Sequence, residues 1–362
     1  MSNSTWTSEK WDPSNPPEIS WIGGAVEWSI VTVFVSAIGC LLSPLLFFAI
    51  YQKSKVQNTA NILIAIMSLT DFVNSLLGLF YFGATLALGK YPVGEGKVFC
   101  HLQGTLYPAL AMTTFYILGL LTYERYRVIV VNKKIDQKKC LQSVALVFFV
   151  LLIYSALPWL TDDKIGYDEL KATGAACFCG GGEGKFEHDA LLFTNVCLFS
   201  ITIAVMVSFY AKIYYHIKKV FTSVKSGDEE EAVGKKKKKG GTPKEVKILY
   251  QFIFITAFFL CCWAALATQW LLNSLGGMFI YEPHLDGLVG FGCHLNSAFN
   301  PVIYGAMNKT LRNAMYDVLP ETLSHWMYEK TYGKTGHAKN ERVLSTSMAN
   351  SDDASGESEE HD

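Results

Sequence analysis

The sequence predicts an all-α membrane protein, a seven-transmembrane helix bundle followed by a short amphipathic cytoplasmic helix. Three observations carry this prediction. Half of the 362 residues are hydrophobic and only 17% are charged, well below the roughly 25% of ordinary soluble domains. Seven apolar runs follow one another at about 28–51, 60–88, 98–129, 141–160, 190–217, 246–274 and 285–306. Each is about the 20 residues or more that a helix needs to cross a ~30 Å hydrocarbon layer. Basic residues collect in alternate connections: Lys53 and Lys55 after the first run, Lys133, Lys134, Lys138 and Lys139 after the third, and Lys218, Lys219 and Lys235 to Lys239 after the fifth. Other connections are acidic, with Asp162, Asp163, Asp168 and Glu169. The positive-inside rule therefore places the N-terminus outside and the C-terminus in the cytoplasm.

Residues 1–27 form the outer N-terminus. They lack a basic-then-apolar leader pattern, so they are expected to stay uncleaved and to be exported by the first helix. Asn3-Ser4-Thr5 fits the glycosylation sequon, which makes Asn3 the expected acceptor. Residues 28–306 hold the bundle. Within it, no Lys, Arg, Asp or Glu stands between Lys97 and Glu124, and the run closes on Glu124-Arg125-Tyr126. The connection at about 218–244 carries an acidic block and five consecutive lysines, suited to a solvated loop beside anionic lipid or to partner docking. Over 307–320, Leu311, Met315 and Leu319 share one helical face with Lys309 and Arg312 elsewhere, a pattern suited to the inner membrane surface. Residues 321–362 are assigned to a disordered tail, a composition most pronounced from about 334 onward.

Charge and cysteines narrow the function classes. A net charge of −1 argues against nucleic acid as a partner. Cys40, Cys197, Cys261, Cys262 and Cys293 lie inside apolar runs, as small apolar fillers. Cys100, Cys177 and Cys179 fall in loops or helix ends on the outer side, enough for one outer disulfide. No metal-ligand spacing, nucleophile and base pair or phosphate-binding glycine loop is found, so no enzyme activity is expected. A proton pump or ion channel would want a file of carboxylates along the pore, and Asp71 is the only carboxylate in the interior of the second run. Asp71, Thr114, Asn296, Ser297 and Asn300 are polar groups inside spans, each a functional hypothesis by default. All are oxygen donors, suited to a hard cation or to a hydrated polar network.

These residues carry a resemblance. Cys100 followed 25 residues later by the Arg of Glu124-Arg125-Tyr126, together with Asn300-Pro301-Val302-Ile303-Tyr304 in the seventh run, resembles the rhodopsin-like (class A) G-protein-coupled receptors. Cys177-Phe178-Cys179-Gly180 and the Met-Asn-Lys after the seventh run look like opsins in particular. The resemblance covers about 28–320 and implies a Cys100–Cys179 disulfide and a sodium pocket of Asp71, Thr114, Asn296, Ser297 and Asn300. It implies a resting clasp between Arg125 and Glu245, 18 residues before Trp263, with Tyr210 and Tyr304 stabilising the open form. A kink permitted by Pro301 is the implied moving part.

The sequence also departs from opsins. Seven residues before Pro301, where an opsin carries the retinal lysine, stands His294, and the counterion position three residues after Cys100 is Gln103. Imidazole forms no stable Schiff base with an aldehyde, so covalent retinal is not expected. The first helix has Ser43-Pro44 where the family carries Asn, the fifth Thr202 where it carries Pro, and the sixth lacks the Pro after Trp263. The implied ligand pocket is Gln103, Tyr107, Thr194, Trp263, Trp270 and His294, aromatic walls suited to a neutral or weakly polar small molecule. The resulting expectation is a plasma-membrane receptor that signals to a heterotrimeric G protein. Ser345, Thr346, Ser347, Ser351, Ser355 and Ser358 are expected sites of a receptor kinase for arrestin-type shut-off. Non-covalent retinal binding is the alternative ligand reading.

Overall fold

The computed structural model describes residues 25–53, 57–88, 97–157, 167–169, 177–179, 186–225, 243–276 and 283–333. Seven long helices appear at the expected places: α1 (Ala25–Gln52), α2 (Thr59–Leu88), α3 (Lys97–Ile129), α4 (Gln137–Ser155), α5 (Phe186–Lys225), α6 (Pro243–Gly276) and α7 (Pro283–Met307). Between α4 and α5, strands β1 (Tyr167–Glu169) and β2 (Cys177–Cys179) pair antiparallel, Tyr167 opposite Cys179. After α7 come α8 (Lys309–Val318) and a further helix, α9, over 321–333.

The helices close into a ring. α1 packs on α2 and α7, α2 on α3, α5 on α6, and α6 on α7, while α3 also meets α4, α5 and α6. Six of the seven are long and apolar enough to cross a membrane by composition. The exception, α7, carries His294, Asn296, Ser297 and Asn300, all buried, which lower its apolar content while staying inside the bundle.

Burial is inverted relative to a soluble protein. Phe34, Leu41, Phe48, Leu76, Leu146, Phe149, Ile153, Ile201 and Val207 point outward, while Asp71, Asn74, Gln103, His294, Asn296, Ser297 and Asn300 are buried. In hydrocarbon, apolar side chains lose nothing by facing out, and polar ones must find partners inside. Several hydroxyls do so within their own helix: Ser68 donates to the Ile64 carbonyl, Thr113 to Ala109 and Thr122 to Leu118. Small residues bring backbones close. At Gly39 of α1 an added Cβ would collide with Ser75 Oγ of α2, so only glycine allows this approach.

The inner turns follow from local sequence. Asn132 adopts φ +56° after α3, and the Lys133 amide reaches back to the Arg127 carbonyl at 3.0 Å, a left-handed helix stop that asparagine tolerates. Asp136 then caps α4, accepting from the Lys138 and Lys139 amides at 2.9 and 3.5 Å. Asn308 caps α8 in the same way, through Thr310 and Leu311.

Two expectations about the C-terminal segment change. The apolar face of α8 is not left to the membrane surface: Leu311, Ala314 and Met315 are buried in the main core beneath the bundle. Residues 321–333, assigned from sequence to the disordered tail, are helical because tyrosines at helical spacing find partners on α8. Tyr328 bonds the Asn313 carbonyl and Asp317, Tyr332 bonds Asn313 and accepts from Arg312, and Thr331 meets Tyr316. The paired numbers fall as their partners rise, so α8 and α9 form an antiparallel hairpin, with Lys53 of α1 reaching Asp317 at 3.4 Å.

Candidate functional site

Polar residues of α2, α3 and α7 converge in the middle of the bundle. Asn300 donates to Asp71 Oδ2 at 2.9 Å, and Asn74 donates to Ser297 Oγ at 2.8 Å and to the Cys293 carbonyl at 3.4 Å. Thr70 and Thr114 share a hydroxyl contact at 2.9 Å. These groups stand on successive turns: 70, 71 and 74 on α2, and 293, 296, 297 and 300 on α7, the i, i+3, i+4, i+7 spacing of one helix face. They surround a cavity of ≈ 10 Å³ lined by Thr70, Asp71, Asn74, Thr114, Trp263, Asn296 and Ser297, with Leu110 and Ala111, room for about one water-sized occupant. Asn296 Oδ1 and Trp263 Nε1 are buried there without a hydrogen-bond partner among the described residues. The donor set therefore fits a small hard cation: one carboxylate, hydroxyls and an unsatisfied amide oxygen.

Four of the six expected pocket residues are buried, Gln103, Tyr107, Trp263 and His294, and Trp263 also lines the cavity. Tyr107 Oη and His294 Nε2 are 3.2 Å apart. Trp263 stacks on Phe259, which stacks on Phe115, centroids 5.7 and 4.9 Å apart. Thr194 is a correction, because it is exposed. The inward face of α5 is marked by Phe199, stacked on Phe115 at 4.7 Å, and five residues along a helix turn about 140° away from it. The Trp270 side chain lies outside the described residues.

At the inner end, Arg125 pairs with the adjacent Glu124 at 3.1 Å and lies over the Phe252 ring of α6 at 5.2 Å. The Glu245 side chain lies outside the described residues, as do those of Cys100 and Cys179, although β2 packs on α3. Asn3 and the tail serines are likewise outside. Tyr126 packs on Phe209 of α5, centroids 5.1 Å apart. Tyr304 is fully buried, its hydroxyl without a partner among the described residues. Tyr210 accepts from Thr122 of α3 at 3.0 Å and meets the Phe252 carbonyl and Thr256 Oγ1 of α6 at 3.2 and 2.9 Å. In this arrangement it already joins three helices.

Sequence reasoning missed Asn74, which bonds Ser297, and Gly78 and Phe82, which lie against His294. Their signal is the spacing 71, 74, 78 and 82, one face of α2 continued outward from its only interior carboxylate. It also missed Thr122 and Thr256, whose hydroxyls matter only once α3, α5 and α6 are set side by side.

Comparisons with known proteins agree with this architecture. The family model described as "7 transmembrane receptor (rhodopsin family)" matches residues 30–304. Among curated relatives, "Probable G-protein coupled receptor 45" of Mus musculus is 21% identical over 316 residues, covering 82% of this chain and 83% of its own. "Rhodopsin" of Sargocentron punctatissimum is 21% identical over 295 residues, covering 79% of each. "High-affinity lysophosphatidic acid receptor" of Xenopus laevis is 22% identical over 312 residues, covering 81% and 82%. Squid rhodopsin superposes with a TM-score of 0.67 at 18% identity, covering 86% of this chain and 91% of that one. A match that spans α1 to the Tyr304 end of α7 leaves one assignment: the chain belongs to the rhodopsin family of seven-transmembrane receptors.

Proposed function

We propose that this receptor transduces an extracellular or lipid-borne small-molecule signal across the plasma membrane to a heterotrimeric G protein, with its N-terminus outside. The observation that carries the reading is the polar cavity around Asp71, because it connects the two halves of such a switch. Trp263, one of the buried pocket residues, lines it, and Asn300, beside Pro301 within α7, bonds its carboxylate. A ligand that shifts Trp263 changes the cavity, and the cavity holds the segment ending at Tyr304. A differential affinity of a few kcal/mol between two arrangements is sufficient for such a switch.

Asp71, Thr114, Asn296 and Ser297 would hold a sodium ion in the cavity, with Asn300 on the carboxylate, favouring the arrangement in which the carboxylate is ionised. Arg125, supported by Glu124 in this arrangement, would exchange to the G protein when α6 moves, with Glu245 as a further partner on α6. A Cys100–Cys179 bridge would fix β2 to the outer end of α3. Arrestin and a receptor kinase would act on the tail serines, and lipid would cover the outward apolar faces. With His294 where opsins carry the lysine, retinal would not be held covalently.

The test is G-protein nucleotide exchange in membranes containing the chain, comparing sodium with choline as the cation. Sodium is expected to lower basal exchange several-fold, Asp71→Asn to abolish that difference, and Arg125→Ala to remove exchange in both salts. Exchange unaffected by Arg125→Ala would refute the signalling assignment.

A further inference from the structure

We propose that the His294 side chain is a built-in ligand: it fills a subsite for a small neutral azole that Ser36, Gly78, Phe82 and Tyr107 build between four helices. The ring is held as a bound heteroaromatic would be. Its Nε2 meets the Tyr107 hydroxyl at 3.2 Å, a directional contact from α3. It packs nearly at a right angle on Phe82, at 86°, and at 63° on Tyr107, with centroids 5.5 and 5.4 Å away. Gly78 supplies the floor, since a Cβ there would stand 2.6 Å from both Nδ1 and Cε1. Ser36 Oγ of α1 converges on the same glycine, so α1, α2 and α3 each present a group to a ring carried by α7.

Such a site combines apolar walls, a hydrogen-bonding group and near-complete enclosure, the composition of small-molecule pockets. His294 is 1% exposed, and its chain neighbour Cys293 accepts through its carbonyl from Asn74, which also bonds Ser297 at the cavity. Whatever occupies the subsite is therefore one hydrogen-bonded residue away from the Asp71 cavity. In the intact chain the occupant is covalently attached and always present. The receptor would then rest in the arrangement that this imidazole favours, and an external ligand would have to act against it.

This inference rests on the receptor reading only for its signalling consequence, so the primary readout is binding. His294→Ala removes the ring and keeps the helix. In purified receptor, 10 mM imidazole, about ten times a millimolar dissociation constant, is expected to raise the variant's melting midpoint by about 3 °C and to leave the unaltered receptor unchanged. Adding Tyr107→Phe should halve the shift or more, because the directional partner is gone. An equal shift from benzene would mean simple cavity filling and overturn the azole assignment, as would no shift at all. Should His294→Ala fail to accumulate, the yield of folded variant from cells grown with and without imidazole takes its place. Recovery by imidazole supports the subsite, and equal failure in both refutes it. Nucleotide exchange measured alongside separates the two readings: an imidazole shift without any exchange strikes the G-protein assignment and leaves the subsite standing.

Discussion

Replacing Tyr210 by phenylalanine removes one oxygen atom that ties α5 to α3 and α6. The hydroxyl accepts from Thr122 at 3.0 Å, and meets the Phe252 carbonyl at 3.2 Å and Thr256 at 2.9 Å. The three losses are unequal. Thr122 keeps its bond to the Leu118 carbonyl at 2.9 Å, so its loss is nearly compensated. Thr256, partly buried, loses its only described cross-helix partner; a neutral hydrogen bond is worth roughly 0.5–1.5 kcal/mol and an abandoned buried group costs about 1–3. The expected destabilisation is about 1–3 kcal/mol. For a domain of this size that lowers the melting midpoint by roughly 2–10 °C, measurable with a thiol-reactive dye in detergent. A cycle with Thr256→Val isolates the pair: if the contact carries the effect, the double variant is less destabilised than the sum by about 1 kcal/mol. A Tyr210→Phe midpoint within a degree of the unaltered receptor, or strict additivity in the cycle, would refute this account of the inner junction.

Two further outcomes follow from the geometry. Gly39→Ala should cost about 1–3 kcal/mol by driving a methyl into Ser75 Oγ. Ser75→Gly in the same chain should recover most of it, and thermal melts of the three variants would show whether it does. In the α8–α9 hairpin, burial first and Asp317 second hold the Tyr328 phenol above its ordinary range. A raised phenol in the docked state means that docking is at full strength below the free value of about 10 and weakens as pH rises beyond it. Trp326, half exposed on α9, reports docking by fluorescence. Tyr328→Phe should flatten the change between pH 9 and about 11, and an identical pH response in that variant would show that Tyr328 is not its source.

Much of the architecture was legible in the sequence, because each membrane helix must satisfy its own backbone and so announces itself by length and composition. The seven runs match seven helices to within a few residues at most ends. The Asp71, Thr114, Asn296, Ser297 and Asn300 set was readable for the same reason: few polar groups are tolerated at that depth, so those present gather. Contacts between a polar group and an apolar or small one left no such mark. Gly78 beneath His294 looks like any helix glycine until α7 is laid beside α2. Thr194 was misplaced because one residue type at a plausible depth does not fix which way a helix is turned. The exposed Trp326 and the buried Tyr328 of α9 were lost in a segment judged by average composition, when the deciding signal was tyrosines at 328 and 332 opposite Asn313 and Asp317.

The α8–α9 hairpin bears on where this chain can be cut or fused. Pairs from Arg312–Tyr332 to Asp317–Tyr328 lie on the side of α8 turned away from Leu311 and Met315, so α8 is clad on both flanks. A chain shortened at Pro320, just beyond the α8 boundary, would strip one flank, bare Tyr316 and leave Asp317 with Lys53 as its remaining described partner. Gly333, the last described residue of α9, has φ +73°, a left-handed backbone that suits glycine and does not continue a right-handed helix. Tags, protease sites and reporter fusions meant to leave the receptor undisturbed therefore belong after Gly333, and those placed at the end of α8 would report on a damaged protein.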